Sequence, residues 1–110
     1  MTEKKIGKIK SVRMGRGGYQ DVMLGITFTL GSGPWDVGDF WGAWSLSISA
    51  EGAQWDEADR DAAFAKTMRR IDSLLSDAQV SSTDNLVGKP IEIEFDGGIM
   101  KSWRILTEAI

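Results

Sequence analysis

Gln20 to Leu30 reads QDVMLGITFTL, and Val22, Leu24, Ile26, Phe28 and Leu30 occupy every second position of it without a break. Successive side chains of a strand point to opposite faces, so this spacing predicts a strand with one buried face and one mixed face. The stretch decides between a helical and a sheet-based fold, and the neighbouring segments extend the sheet outward from it. Upstream, KIGKIKSVRM places Ile6, Ile9 and Val12 off strict alternation, which predicts an irregular strand with a bulge near Gly7. Between the two strands GRGGY, Gly15 to Tyr19, carries three glycines and predicts a hairpin turn.

Downstream lies PWDVGDFWGAW, Pro34 to Trp44, with three of the five tryptophans of the chain. Interrupted by Gly38 and Gly42 and by Asp36 and Asp39, it reads as an aromatic loop. A third strand is expected after it, starting at Trp44 with Leu46 and Ile48 alternating against serines. From Trp55 to Ala78 the period changes. Phe64, Met68, Ile71, Leu75 and Ala78 fall four, three, four and three residues apart, the apolar stripe of one long helix. Asp56 is its expected N-cap, and Glu57, Asp59 and Asp61 place negative charge at the positive end of the helix dipole. The C-terminal part predicts a hairpin, with Ile91, Ile93 and Phe95 alternating on one arm and Asp96-Gly97-Gly98 turning. Ile99, Trp103 and Ile105 lie on the return. The expected order is β-β-β-α-β-β. It is an α+β fold of one domain over residues 1–110, an antiparallel sheet of about five strands with the helix on one face.

Composition narrows the chemistry. With 110 residues, no histidine and no cysteine, the chain lacks the commonest general base, the thiolate nucleophile and the usual zinc ligands. A non-catalytic protein with no cofactor is therefore expected. No apolar run is long enough to span a membrane and the N-terminus has no signal-peptide segment, which points to the cytoplasm and to partners other than a membrane. The net charge of −3 is unevenly spread: residues 1–19 hold six Lys or Arg and one Glu, while residues 20–65 hold eight acids and one Arg. The bland reading is that the two segments neutralise each other on the surface.

Three features are candidates for a site. In the basic arm, Lys8, Lys10, Arg13 and Arg16 followed by Tyr19 combine positive charge with a stacking ring, the combination that single-stranded nucleic acid requires. The competing explanation is an edge strand kept from aggregating by its lysines. The acids Asp36 and Asp39 with those at the helix start lack the alternate ligand spacing of a calcium loop, so no metal site is expected. In the aromatic loop, Trp35, Phe40 and Trp41 supply contact area for a macromolecular partner, with Asp36 and Asp39 as complementary charge. Trp35 and Trp41 are the rings expected to stay exposed, and Trp44 and Trp103 the buried ones.

GKPIEIEFDGGIMKSWRILTEAI (88–110), SVRMGRGGYQD (11–21) and WDVGDFWG (35–42) together resemble a group of small proteins encoded by bacteriophages and prophages. The resemblance implies a viral accessory protein in the bacterial host cytoplasm and transfers no functional residue. Joined to the aromatic loop, it leads to an expected role as a docking protein. Such a protein would bind a host protein or complex, in the manner of phage inhibitors of bacterial defence such as anti-CRISPR proteins. The alternatives are a single-stranded nucleic acid binding accessory of phage replication or recombination, and a sponge for a nucleotide-like small molecule. Oligomeric state is left open.

Overall fold

A computed structural model describes residues 2–18, 21–45 and 56–110. Strands β1 (Thr2–Gly17), β2 (Met23–Ser32) and β3 (Trp35–Trp44) precede helix α1 (Glu57–Ala78), and strands β4 (Pro90–Asp96) and β5 (Ile99–Ile105) follow it. All pairings are antiparallel, in the spatial order β3-β2-β1-β4-β5. The α+β fold and the element order are as the sequence predicts.

β1 is central in the strand order, but among the described strands each of its halves joins a neighbouring strand on one side only. Its first part, Thr2 to Lys8, pairs with β4, and its second part, Lys8 to Gly17, pairs with β2. The handover coincides with a bulge between Ile9 and Ser11 rather than at Gly7. An extra residue in one strand bends it and increases its twist. Gly7 serves a different purpose: a Cβ there would lie 2.7 Å from the Gly31 carbonyl oxygen, so the two backbones approach too closely for a side chain.

The bend rolls the sheet. In a flat sheet, β3 and β5 would stand four inter-strand spacings apart, about 19 Å at about 4.8 Å each. Instead the rings of Trp41 on β3 and Trp103 on β5 are stacked with centroids 5.5 Å apart and planes within 18°. The two outermost strands are thus brought face to face, giving the connectivity of a small, partly open Greek-key barrel. Ile26, Phe28, Leu30, Ile91, Ile93 and Ile105 fill its interior, and α1 lies along β3 and reaches β5.

Asp56 caps α1 as expected, its carboxylate accepting from the Asp59 backbone N–H at 2.8 Å. The buried stripe differs from the expected one. Thr67, Leu74 and Ala78 are buried, whereas Met68 is 61% exposed. Thr67 is polar and lies off the expected apolar stripe, yet its hydroxyl is satisfied inside the helix by donating to the Ala63 carbonyl at 2.9 Å. The expected strand after Trp44 and the helix start at Trp55 fall on 46–55, outside the described residues.

At the C-terminus, Arg104 grips Glu108 through two hydrogen bonds of 3.0 Å and also reaches Glu92 at 3.3 Å. Those bonds to Arg104 hold the Glu108 carboxyl down to about 2. The depressed value means that Glu108 contributes stability above the ordinary carboxylate range, and that the contribution fades as pH falls toward about 2. An NMR titration should find the Glu108 midpoint near 2, and R104A should raise it toward the ordinary carboxylate range, with the Thr107 hydroxyl and the backbone still holding part of the shift. A midpoint in R104A as low as in the parent would refute the pairing as its cause.

Candidate functional site

The aromatic stretch is a strand, contrary to the loop expected from its glycines and acids. β3 pairs with β2 residue for residue from Ser32↔Trp35 to Met23↔Trp44, without a bulge. Its side chains therefore alternate strictly. Trp35, Val37, Asp39, Trp41 and Ala43 share the interior face with Leu24, Ile26, Phe28 and Leu30 of β2, while Asp36, Gly38, Phe40, Gly42 and Trp44 face outward.

On the interior face Asp39 is the pivot. Its Oδ2 accepts from the Trp41 Nε1–H at 3.0 Å and from the Trp103 Nε1–H at 2.7 Å, and its Oδ1 accepts from the Phe40 backbone N–H at 3.0 Å. Phe28 stands edge-on to both indoles, at 4.7 and 5.1 Å. From α1, the Arg70 guanidinium covers the Trp41 ring at 4.0 Å. One carboxylate thus clasps the two outer strands of the sheet where the barrel would otherwise gape. Trp41 is only 8% exposed, so the expectation that it stays open for a partner is corrected: burial and stacking consume its ring. Trp103 is partly buried against the same core, and Trp44 lies half-buried on the outward face.

The five residues expected to form one partner surface do not share a face. Asp39 and Trp41 are in the clasp, Trp35 is on the interior face at the far end of β3, and Asp36 and Phe40 face outward. The basic residues also divide. Lys10, at the bulge, donates from Nζ to the carbonyls of Gly33 and Trp35 at 2.9 and 3.1 Å, and lies 4.0 Å from Asp36. Its charge fastens the β2–β3 turn. Tyr19 lies outside the described residues. Arg13 sits opposite Thr27, which sits opposite Phe40, so these three form one outward row across β1, β2 and β3. Lys8, opposite Gly31, shares that face, whereas Arg16, opposite Leu24, alternates to the other.

Next to that row lies a lane with no side chains. Gly15, Gly25 and Gly42 are mutually opposite, and Gly17 is in the adjacent row. The Phe40 ring leans over this lane. A Cβ on Gly17 would come 3.1 Å from its Cε1, and one on Gly42 would come 2.8 Å from its Cε2. The outward face of β1–β2–β3 thus presents an aromatic ring on bare backbone, flanked by Trp44, the Thr27 hydroxyl and the cations of Arg13 and Lys8. Its one acid, Asp36, is next to Lys10. Carboxylates gather elsewhere, on α1 and on the outward face of β4, where Glu92 lies 4.0 Å from the Lys4 ammonium. The basic arm is therefore paired both with a β4 acid, through Lys4 and Glu92, and with the acidic middle of the chain, through Lys10 and Asp36.

Among the described residues no group of three or more acids is placed to hold a metal ion, and no helix is long and apolar enough to cross a membrane. Compared with protein-family models, curated proteins and solved structures, the chain matches none.

Proposed function

We propose that the protein binds single-stranded nucleic acid across the outward face of β1–β2–β3, as an accessory of phage replication or recombination. The observation that carries the reading is the row Arg13–Thr27–Phe40 beside a glycine lane. A cation contacts phosphate and a ring stacks on a base, and the glycines give that ring a flat seat against the sheet. The architecture agrees, because the five-stranded OB-type barrel uses the outer face of its second and third strands for oligonucleotides and oligosaccharides. Fold alone does not assign a function, so the weight rests on the row. The net charge of −3 is no obstacle when the carboxylates lie on α1 and β4 and this face keeps its cations.

Docking onto a host macromolecule, with inhibition of a bacterial defence system as its outcome, is the less supported reading. It draws on a contiguous Trp35–Trp41 surface, and the alternation of β3 divides those residues between two faces.

Titration of a fluorescent oligonucleotide at low salt tests the proposal. Binding should weaken as salt rises, with F40A losing about tenfold through the missing stack. R13A should reduce the slope of log K against log salt by about 0.7, the value for one phosphate contact on a single strand. A flat titration of the parent protein at low salt would remove the proposal.

A further inference from the structure

A second concavity opens where the clasp ends. Beyond Asp39 toward the start of β3 the two edges of the sheet part, leaving a groove of about 410 Å³ lined by Glu3, Lys5, Trp35, Asp36, Val37, Phe95 and the Gly97–Gly98 turn, with the Asp36 carboxylate 4.0 Å from the Lys10 ammonium. This is the size range of small-molecule sites. Trp35 and Phe95 form a corner inside it, with centroids 6.1 Å apart and planes at 68°. The Lys5 ammonium sits over both rings, 5.3 Å from one centroid and 5.6 Å from the other. Lys5, Trp35 and Phe95 come from three different strands. The interior register of the barrel delivers all three to one mouth, since Lys5 is opposite Ile93 and Trp35 is opposite Ser32.

We infer that this groove takes a nucleobase carrying a phosphate, the base against Trp35 and Phe95 and the phosphate on the Lys5 ammonium. Two rings set at a steep angle offer a flat heterocycle one face to stack on and one edge to abut. Lys5 is half-exposed, with its side chain at 47%, and besides the two rings its present partner is the exposed Glu3 carboxylate at 3.5 Å. A surface pair of that kind is weak, so an incoming phosphate takes over the ammonium at little cost. Glu3 is then an acceptor for base N–H groups. The turn leaves the groove open, because a Cβ on Gly97 or Gly98 would meet nothing within 4 Å. The base comes either from a free mononucleotide or from one unit of a bound strand.

The probe is adenosine monophosphate, titrated into the full chain by calorimetry, so the outcome is independent of strand binding on the outward face. Saturable binding is expected, weakened about tenfold in W35A by loss of the stack, weakened also in K5A, and unchanged in F40A. Thermal melts of each variant check folding. W35F, which keeps a ring, and K5A, which alters only an exposed side chain, carry the test where W35A does not fold. Competition by a short oligonucleotide at the groove would assign the base to a strand, and absence of competition would assign it to free nucleotide. No binding by the parent, or equal binding by the parent, W35F and K5A, overturns the inference whatever the oligonucleotide titration shows.

Discussion

Replacing Asp39 by alanine should lower the unfolding free energy by about 3 kcal/mol, the scale of losing charge-assisted hydrogen bonds and leaving their donors unpaired. Three donors depend on this carboxylate: the Nε1–H groups of Trp41 and Trp103 and the Phe40 amide. The Trp41 ring is packed between Trp103 and Arg70 and is buried, so its N–H does not easily turn to water. The loss is also topological. Among the described strands, backbone ladders join β3 only to β2 and β5 only to β4, so the two ends of the sheet meet through side chains. Urea denaturation of D39A measures the cost, and a change below about 0.5 kcal/mol, the range of an ordinary surface substitution, would show that the clasp is ornamental. A double-mutant cycle with W103F, which keeps a ring and deletes the N–H, sharpens the result. If Asp39 acts through Trp103, the two losses overlap and the double variant is less destabilised than the sum.

The clasp also explains what sequence reasoning could see of this fold. Strands β2 and β4 were legible because their interior residues are all aliphatic or aromatic, so a period of two stands out. β3 has the same period in Trp35, Val37, Trp41 and Ala43. Its fifth interior position, however, is a carboxylate, and an acid at a core position reads as a break in the pattern. Only the partners of Asp39 make it an interior residue, and one of them is 64 positions away in sequence. The signal available was the alternation on either side of Asp39. The rolling of the sheet was illegible for a similar reason. It arises from a bulge at Lys10, whose side chain then turns to the carbonyls of Gly33 and Trp35. Periodicity around Ile6, Ile9 and Val12 announces a bulge without locating it. As for the site, the basic residues and the rings were visible in sequence. Which of them share a face was decided by register, and a one-residue shift would exchange Phe40 for Trp41.

Gly25→Ala should be the more damaging of two alanine substitutions on neighbouring strands, and Gly38→Ala its benign counterpart. Gly25 lies opposite Gly42 and Gly38 opposite Thr29, both in the β2–β3 ladder. A strand propensity argument ranks both changes as mild improvements, because glycine weakens strand interiors. The backbone geometry separates them. A Cβ on Gly25 would lie 2.0 Å from the Trp41 carbonyl oxygen and 2.6 Å from the Gly42 Cα, atoms of the partner strand that cannot rotate aside. A Cβ on Gly38 would meet only the Phe28 carbonyl oxygen, at an ordinary 3.8 Å. Relieving the first clash means prying β3 from β2 next to Trp41, which also strains the clasp to Trp103. G25A should therefore cost at least the 1–3 kcal/mol or so of an overpacked core, and G38A should stay within about 0.5 kcal/mol of the parent. Hydrogen exchange distinguishes a local from a global effect: in G25A the β2 and β3 amides near Trp41 should lose protection first, while those of β4 and β5 keep theirs. Equal stability of G25A and G38A would mean that the two strands are not held as closely as the Gly25–Gly42 approach requires, and the Phe40 platform over the same glycines would lose its footing with them.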